Sequence, residues 1–155
     1  MLFDGRRIRA LTLVDNFTRE ALAIVVDGGI RGEHVAKAVE GIAAPRDPSR
    51  LIRVDNGPEF VSKVLGRWAC ERGVVLDFSR PGKPTDNCFV ESFNGRFCDG
   101  STHASNPDTH WFLSVEDAKA KIEAWRRDAI ATRPHSALGH LTPQEFAART
   151  ARKGR

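Results

Sequence analysis

The chain has no tyrosine, one methionine and three cysteines among its 155 residues. Cys70, Cys88 and Cys98 are an odd number without paired spacing, which argues against a disulfide scaffold. Cys98, His103 and His110 have no C-x-x-C beside them, so the sequence does not support a structural zinc site. Long apolar runs are missing too: none approaches the roughly 20 residues needed to span a bilayer. The opening stretch, Met1-Leu2-Phe3-Asp4-Gly5-Arg6-Arg7, holds no signal-peptide core. A cytoplasmic protein with no membrane partner is the expectation. Internal repeats and low-complexity segments are absent.

What is present is ordinary for a globular domain. Hydrophobic residues make up 41% and charged residues 28%, over a length that suits one domain with a real core. The formal charge of +4 and an isoelectric point near 9.3 permit a nucleic-acid partner without requiring one. Arg149, Arg152, Lys153 and Arg155 gather part of that charge into a basic tail over 149–155, read first as a solvated end. The domain itself is expected over 1–148.

Residues 7–14 alternate and then become continuously apolar, and 21–26 are apolar, with the turn signal Asp15-Asn16 between them. This predicts an antiparallel strand pair. Val35, Ala38, Val39 and Ile42 recur at helical spacing over 31–43. Leu51–Val54 reads as a short strand, and Pro58 as the first turn of a helix buried through Phe60, Val61, Val64, Leu65 and Trp68. Gly73 stops that helix, and 74–78 is a strand parallel to 51–54 across the crossover. After a Pro/Gly loop at 80–85, Asp86 or Thr85 can cap a further helix with Phe89, Val90, Phe93 and Phe97 on one side. Asn87, Glu91, Asn94 and Gly95 share another side. Residues 98–110 read as a loop. Ser114 opens a helix with Ala118, Ile122, Trp125 and Ala129 on its buried face, and Thr142-Pro143-Gln144-Glu145 opens the last one. The element order predicts an α/β layered domain.

Two carboxylates stand out by location. Asp55 ends a buried strand, at the edge where open α/β sheets place ligands, and Glu91 follows on the outward side of a helix. Each also has a plain explanation: Asp55 before Asn-Gly-Pro suits a turn, and Glu91 suits a solvated helix face.

Motifs weigh on the choice. Val54-Asp-Asn-Gly-Pro-Glu-Phe60, Arg80-Pro-Gly-Lys-Pro84 and Asn87-Cys-Phe-Val-Glu-Ser-Phe-Asn-Gly-Arg96 occur in that order. Leu13-Val-Asp-Asn-Phe-Thr-Arg-Glu20 precedes them, and Arg133-Pro-His-Ser-Ala-Leu-Gly139 with Leu141-Thr-Pro-Gln-Glu-Phe146 follows. The set resembles the integrase-type catalytic core of bacterial insertion-sequence transposases of the OrfB type, in the DDE superfamily, over nearly the whole chain. That resemblance implies a ribonuclease-H-like mixed sheet flanked by helices. It implies DNA strand transfer with Asp55 and Glu91 as catalytic, metal-binding carboxylates for Mg²⁺ or Mn²⁺, two ions in an intact site. Lys83, Asn87, Asn94 and Arg96 are then candidate DNA contacts, although each is also an ordinary surface residue. The implied partners are transposon-end and target DNA, and further copies of the chain assembled on them. A non-catalytic DNA-binding or transposase-interacting module is the alternative. A ribonuclease-H-like nuclease unrelated to transposition leaves the flanking motifs unexplained.

The chain also departs from the family. The first catalytic aspartate of that family lies on a strand ahead of Asp4-Gly5, and only Met1-Leu2-Phe3 precede that point here. The fold is therefore expected with its first, central strand largely missing, leaving two edges without ladder partners. Asp4 falls in a turn at the far end, and Asp15 is a remote substitute. Gly100–Asp108 replaces a charged helical segment, and Ala129-Ile-Ala-Thr132 stands where the family tends to carry a Tyr-Asn pair. Both a decayed remnant and a start lying upstream of Met1 fit these departures, and on either account the isolated chain is expected to be inactive.

Overall fold

In a computed structural model the chain is described over residues 2–44, 50–80, 95 and 112–153. The two apolar runs at the front become strands β1 (Arg9–Val14) and β2 (Ala21–Asp27), antiparallel in a register from Arg9↔Asp27 to Val14↔Ala21. Their connection is fixed by Asp15, whose Oδ1 accepts from the amides of Phe17 at 2.7 Å and Thr18 at 2.9 Å. Arg19 takes the left-handed conformation at φ 62°, closing the turn. Period-two alternation sends Ile24 and Val26 to one face and Val25 to the other. Each face meets a different helical layer.

On one face lies α1 (Gly32–Ala43), with Val35, Ala36 and Val39 buried. Beside it is α2 (Lys63–Arg72), followed by Gly73 in the left-handed conformation that a helix C-terminus favours. The two helices meet closely at their starts, where a Cβ on Gly32 would stand 2.0 Å from the Ser62 hydroxyl. Farther along, Trp68 Nε1 donates to Glu40 Oε2 at 2.7 Å and Arg72 ion-pairs with the same carboxylate.

Between and after these helices run β3 (Leu51–Val54) and β4 (Val75–Phe78), parallel in the register Leu51↔Val75 to Val54↔Phe78. Arg53 and Asp77 pair across them at 3.1 Å. Leu11 of β1, Leu65 of α2 and the buried α1 residues form one apolar cluster, and Ile52 of β3 and Leu76 of β4 pack against it. The described strands thus form two two-stranded sheets on a shared helical layer, and no ladder among the described residues joins them. This is the helix-flanked mixture of antiparallel and parallel pairs that was expected, with open strand edges.

The opposite face of β1–β2 is covered by α3 (Val115–Thr132) through Ala118, Ile122, Trp125 and Ala129, the four residues read from the sequence. Ser114 caps it by accepting from the Asp117 amide at 3.0 Å. The chain then makes a short 3₁₀ turn (Ser136–Leu138), followed by Gly139 and His140, both left-handed. His135 acts there through its backbone, donating to Leu141 O at 3.0 Å. In α4 (Pro143–Lys153), Thr142 and Glu145 form the reciprocal capping box: Glu145 N donates to Thr142 Oγ1 at 3.2 Å, and Thr142 N to Glu145 Oε2 at 2.9 Å. Phe146 meets Phe17 edge-on at 5.4 Å.

One element differs from expectation. Pro58 does not begin α2; the amides of Phe60 and Val61 close a turn on Gly57 O, and Ser62 caps the helix instead by accepting from Leu65 N at 3.2 Å. The helix therefore starts five positions later, and Val61 and Val64 are exposed where burial was expected. Leu65 takes the buried face, with Phe60 and Trp68 packed against its cluster.

Arg126 fastens α3 to the edge of β2, donating through Nη1 to Ala21 O at 2.7 Å. It also forks onto Glu123, with Nε and Nη2 each 2.7 Å from a carboxylate oxygen. The Arg126 hydrogen bonds, opposed by partial burial and assisted by Arg127, pull the Glu123 carboxyl from 4.5 to about 2. A carboxyl depressed in the folded state contributes stability above its unfolded pKa and loses it as pH falls toward the folded value. Glu123→Gln should therefore lower the thermal midpoint modestly at pH 6, given that Glu123 remains 38% exposed. The difference from wild type should shrink as pH falls from 4.5 toward 2. Melting curves at stepped pH check this; a gap that stays constant across that window would exclude it.

Candidate active site

Asp55 follows the last residue of β3 and is exposed, while Val54 beneath it is 6% exposed. A parallel strand pair ends here with its carboxyl edge open, the position at which α/β sheets hold ligands. The backbone at that edge is tied across to β4. Ser79, just beyond β4, donates to Val54 O from both its amide and its hydroxyl, each at 3.0 Å. Asn56 returns the contact, its Nδ2 donating to Ser79 O at 2.8 Å. The Asn56 amide donates to Asp55 Oδ1 at 2.8 Å, leaving the carboxylate with open lone pairs toward solvent. Past it the chain turns at Gly57, and the Glu59 carboxylate folds back there; a Cβ on Gly57 would lie 2.9 Å from Glu59 Cδ.

An exposed carboxylate on a tied strand end fits a hard divalent cation such as Mg²⁺, which takes one or two carboxylates and fills its shell with water and phosphate oxygens. Asp55 supplies one such group. Among the described residues there is no cluster of three or more His, Cys, Asp or Glu side chains able to hold a metal. Glu91, Lys83, Asn87, Asn94 and Arg96 lie outside the described residues, so Asp55 is the predicted site residue that the structure places. Asp15 is spoken for, since its carboxylate builds the β1–β2 turn. Asp4 pairs with Arg6 at the surface, at 2.7 Å.

Sequence reasoning missed the Asn56 and Ser79 partnership. Asn56 belongs to a motif already singled out, but its contact spans 23 residues. Trp125 is core, with the Arg133 guanidinium 5.1 Å from its ring centre. A small open pocket of about 170 Å³ lies between β2, α1 and α3, lined by Glu20, Gly41 and Arg126 among others. It adjoins the Arg126 anchor, and none of its lining residues belongs to β3 or β4.

Two family models, both described as "Integrase core domain", match this chain, one over residues 2–84 and the other over 72–143. A protein of insertion element IS407 from Burkholderia multivorans is 48% identical over 148 residues, covering 96% of this chain and 52% of the relative. One of insertion element IS476 from Xanthomonas euvesicatoria is 42% identical over 147 residues, covering 95% and 41%. The chain thus spans about half the length, or less, of these curated relatives. Among solved structures, the HTLV-2 integrase catalytic core domain in complex with magnesium superimposes with a TM-score of 0.70 at 14% identity, covering 94% of this chain and 88% of that one. The catalytic core domain of BIV integrase gives 0.65 at 16% identity, covering 96% and 97%. At such identities the likeness establishes the fold, that of retroviral integrase cores.

Proposed function

We propose, from the premise that this chain belongs to the integrase core domain family, that it is the chemical core of an insertion-sequence transposase joining DNA 3′-hydroxyl ends to target DNA. The observation that carries this reading is Asp55, exposed at the tied carboxyl end of β3 within the Asp-Asn-Gly-Pro-Glu-Phe motif. Asp55 and Glu91 would hold the cations, Mg²⁺ or Mn²⁺. Two such ions, when bound, would supply activation of the attacking oxygen and stabilisation of the leaving one.

The reaction has two displacements at phosphorus. Water first attacks the phosphodiester at the element's end, and the departing oxygen becomes a free 3′-hydroxyl. That hydroxyl then attacks a target phosphodiester, joining the strands as the target's own 3′ oxygen leaves. No covalent bond to the protein forms, so the side chains have to hold, orient and neutralise. Lys83, Asn87, Asn94 and Arg96 are proposed to fix the DNA backbone, where a cation or amide pairs with phosphate oxygen. Since two DNA ends must be joined, several copies of the chain are proposed to assemble on the DNA. Among the described residues, no helix is long and apolar enough to cross a membrane.

The isolated chain is proposed to bind DNA without joining it. Among the described residues no ladder joins its Asp55-bearing sheet to β1–β2, and packing holds the two together. The test compares this chain with a chimera in which it replaces the matching half of the IS407 protein. Both are incubated with Mg²⁺ and labelled DNA ends taken from the borders of that element. The chimera should join ends, and the isolated chain should show only salt-dependent binding. Joining by the isolated chain would refute its proposed inactivity. An inert chimera beside an active parent protein would refute the catalytic reading.

A further inference from the structure

We infer that Asn56 is the positioning residue of this site: its side-chain amide sets the place of the Asp55 carboxylate by clasping the end of β3 to the end of β4. The inference rests on the reading of Asp55 as a metal ligand and adds a residue whose own side chain is not a ligand in it.

The need for such a device follows from the geometry. The β3–β4 ladder ends at Val54↔Phe78, so Asp55 lies one residue past its last pair. Beyond Asp55 come Asn56 and Gly57, and the chain turns away. A carboxylate in that position would swing with its backbone, whereas a binding constellation works only within about 0.5 Å of its productive geometry.

Three hydrogen bonds supply the restraint. Two run from Ser79 to Val54 O and hold the residue before Asp55. The third runs from Asn56 Nδ2 to Ser79 O and holds the residue after it. Asp55 is thus pinned from both sides to one residue just beyond the neighbouring strand. With its flanks fixed, the Asn56 backbone N–H donates to Asp55 Oδ1 at 2.8 Å and orients the carboxylate. The acceptor is a backbone carbonyl, so the side chain at 56 must be a donor. Asparagine provides an N–H at the required reach; an aspartate there would set two oxygens against each other. Groups that orient a metal ligand typically change metal affinity 10- to 100-fold when removed.

The test is Mn²⁺ binding by the full chain, followed by electron paramagnetic resonance of the free ion, alongside its thermal midpoint. Asn56→Ala should weaken Mn²⁺ binding roughly tenfold. Trp68→Phe, which removes the α1–α2 hydrogen bond to Glu40 and leaves the Asn56–Ser79 bond in place, should lower the midpoint while keeping the affinity near wild type. If Asn56→Ala weakens binding no more than Trp68→Phe does, Asn56 merely supports the fold and the inference is overturned. Asp55→Asn separates the two levels: unchanged Mn²⁺ affinity there overturns the ligand reading itself. A loss with Asp55→Asn but none with Asn56→Ala overturns the clasp alone.

Discussion

Asp55→Asn in the transfer-competent chimera is expected to reduce strand joining by at least about a thousandfold, several kcal/mol of transition-state stabilisation. The substitution keeps the size and shape of the side chain and removes its charge. Asparagine offers one carbonyl oxygen where the carboxylate offers two charged ones, a weak substitute for a cation that prefers hard anionic oxygens. Stability should hardly change, because Asp55 is exposed and its side chain makes one hydrogen bond, to the adjacent amide. The side-chain carbonyl that the substitution leaves can still accept that bond. The expected result is therefore loss of joining with an unaltered melting curve, measured on the same preparation. Replacing Mg²⁺ by Mn²⁺, which is less demanding of its ligands, should recover part of the loss but not wild-type rates. Retention of more than a tenth of wild-type joining in Mg²⁺ would show that Asp55 lies outside the chemistry. Its position at the carboxyl end of β3 would then be that of a turn residue.

Local patterns carried much of this fold into view. Partial alternation located β1, a continuous apolar run β2, and a four-residue run located β3 from end to end as Leu51–Val54. Helical spacing picked out Ala118, Ile122, Trp125 and Ala129, all buried on α3. Such features depend on neighbours a few positions away, where spacing translates directly into direction. The start of α2 was misplaced because Pro58 and Ser62 are both good opening signals, and Ser62, packed closely against Gly32 thirty positions earlier, is the one that caps the helix. Likewise Trp68 reaches Glu40, Arg126 reaches Ala21 and Asn56 reaches Ser79. Each is a side chain meeting a distant segment, for which a single sequence has no periodic signature. Asp55 was legible as a candidate because the end of a strand is a local feature. Its fastening was not, because that depends on how β3 and β4 come together.

Leu65→Ala is the change expected to damage the fold most, by about 2–5 kcal/mol, against a total stability of roughly 5–15 kcal/mol for a domain of this kind. Leu65 is 1% exposed and sits in the first turn of α2, its amide bonded to the Ser62 cap. Its side chain lies among Leu11, Ile30, Val35, Ala36 and Val39, against which Ile52 of β3 and Leu76 of β4 also pack. Truncation leaves a cavity in the cluster that couples the two sheets, since no ladder among the described residues does so. The consequence should be uneven. Ile122→Ala, in the separate cluster beneath α3, should destabilise the chain to a similar degree by the same cavity mechanism, but on the far face of β1–β2. Hydrogen exchange distinguishes the two. Leu65→Ala should strip protection from the β3–β4 amides first, whereas Ile122→Ala should act first on β1–β2. Loss of the β3–β4 ladder would also release the Ser79 carbonyl from Asn56, so Mn²⁺ affinity should fall with Leu65→Ala at temperatures where the remainder of the chain is still folded. Parallel loss of protection in both sheets for both variants would show instead that the sheets open as one unit. Packing alone would then couple them as tightly as a shared ladder, and Asp55 would be as secure as the rest of the core.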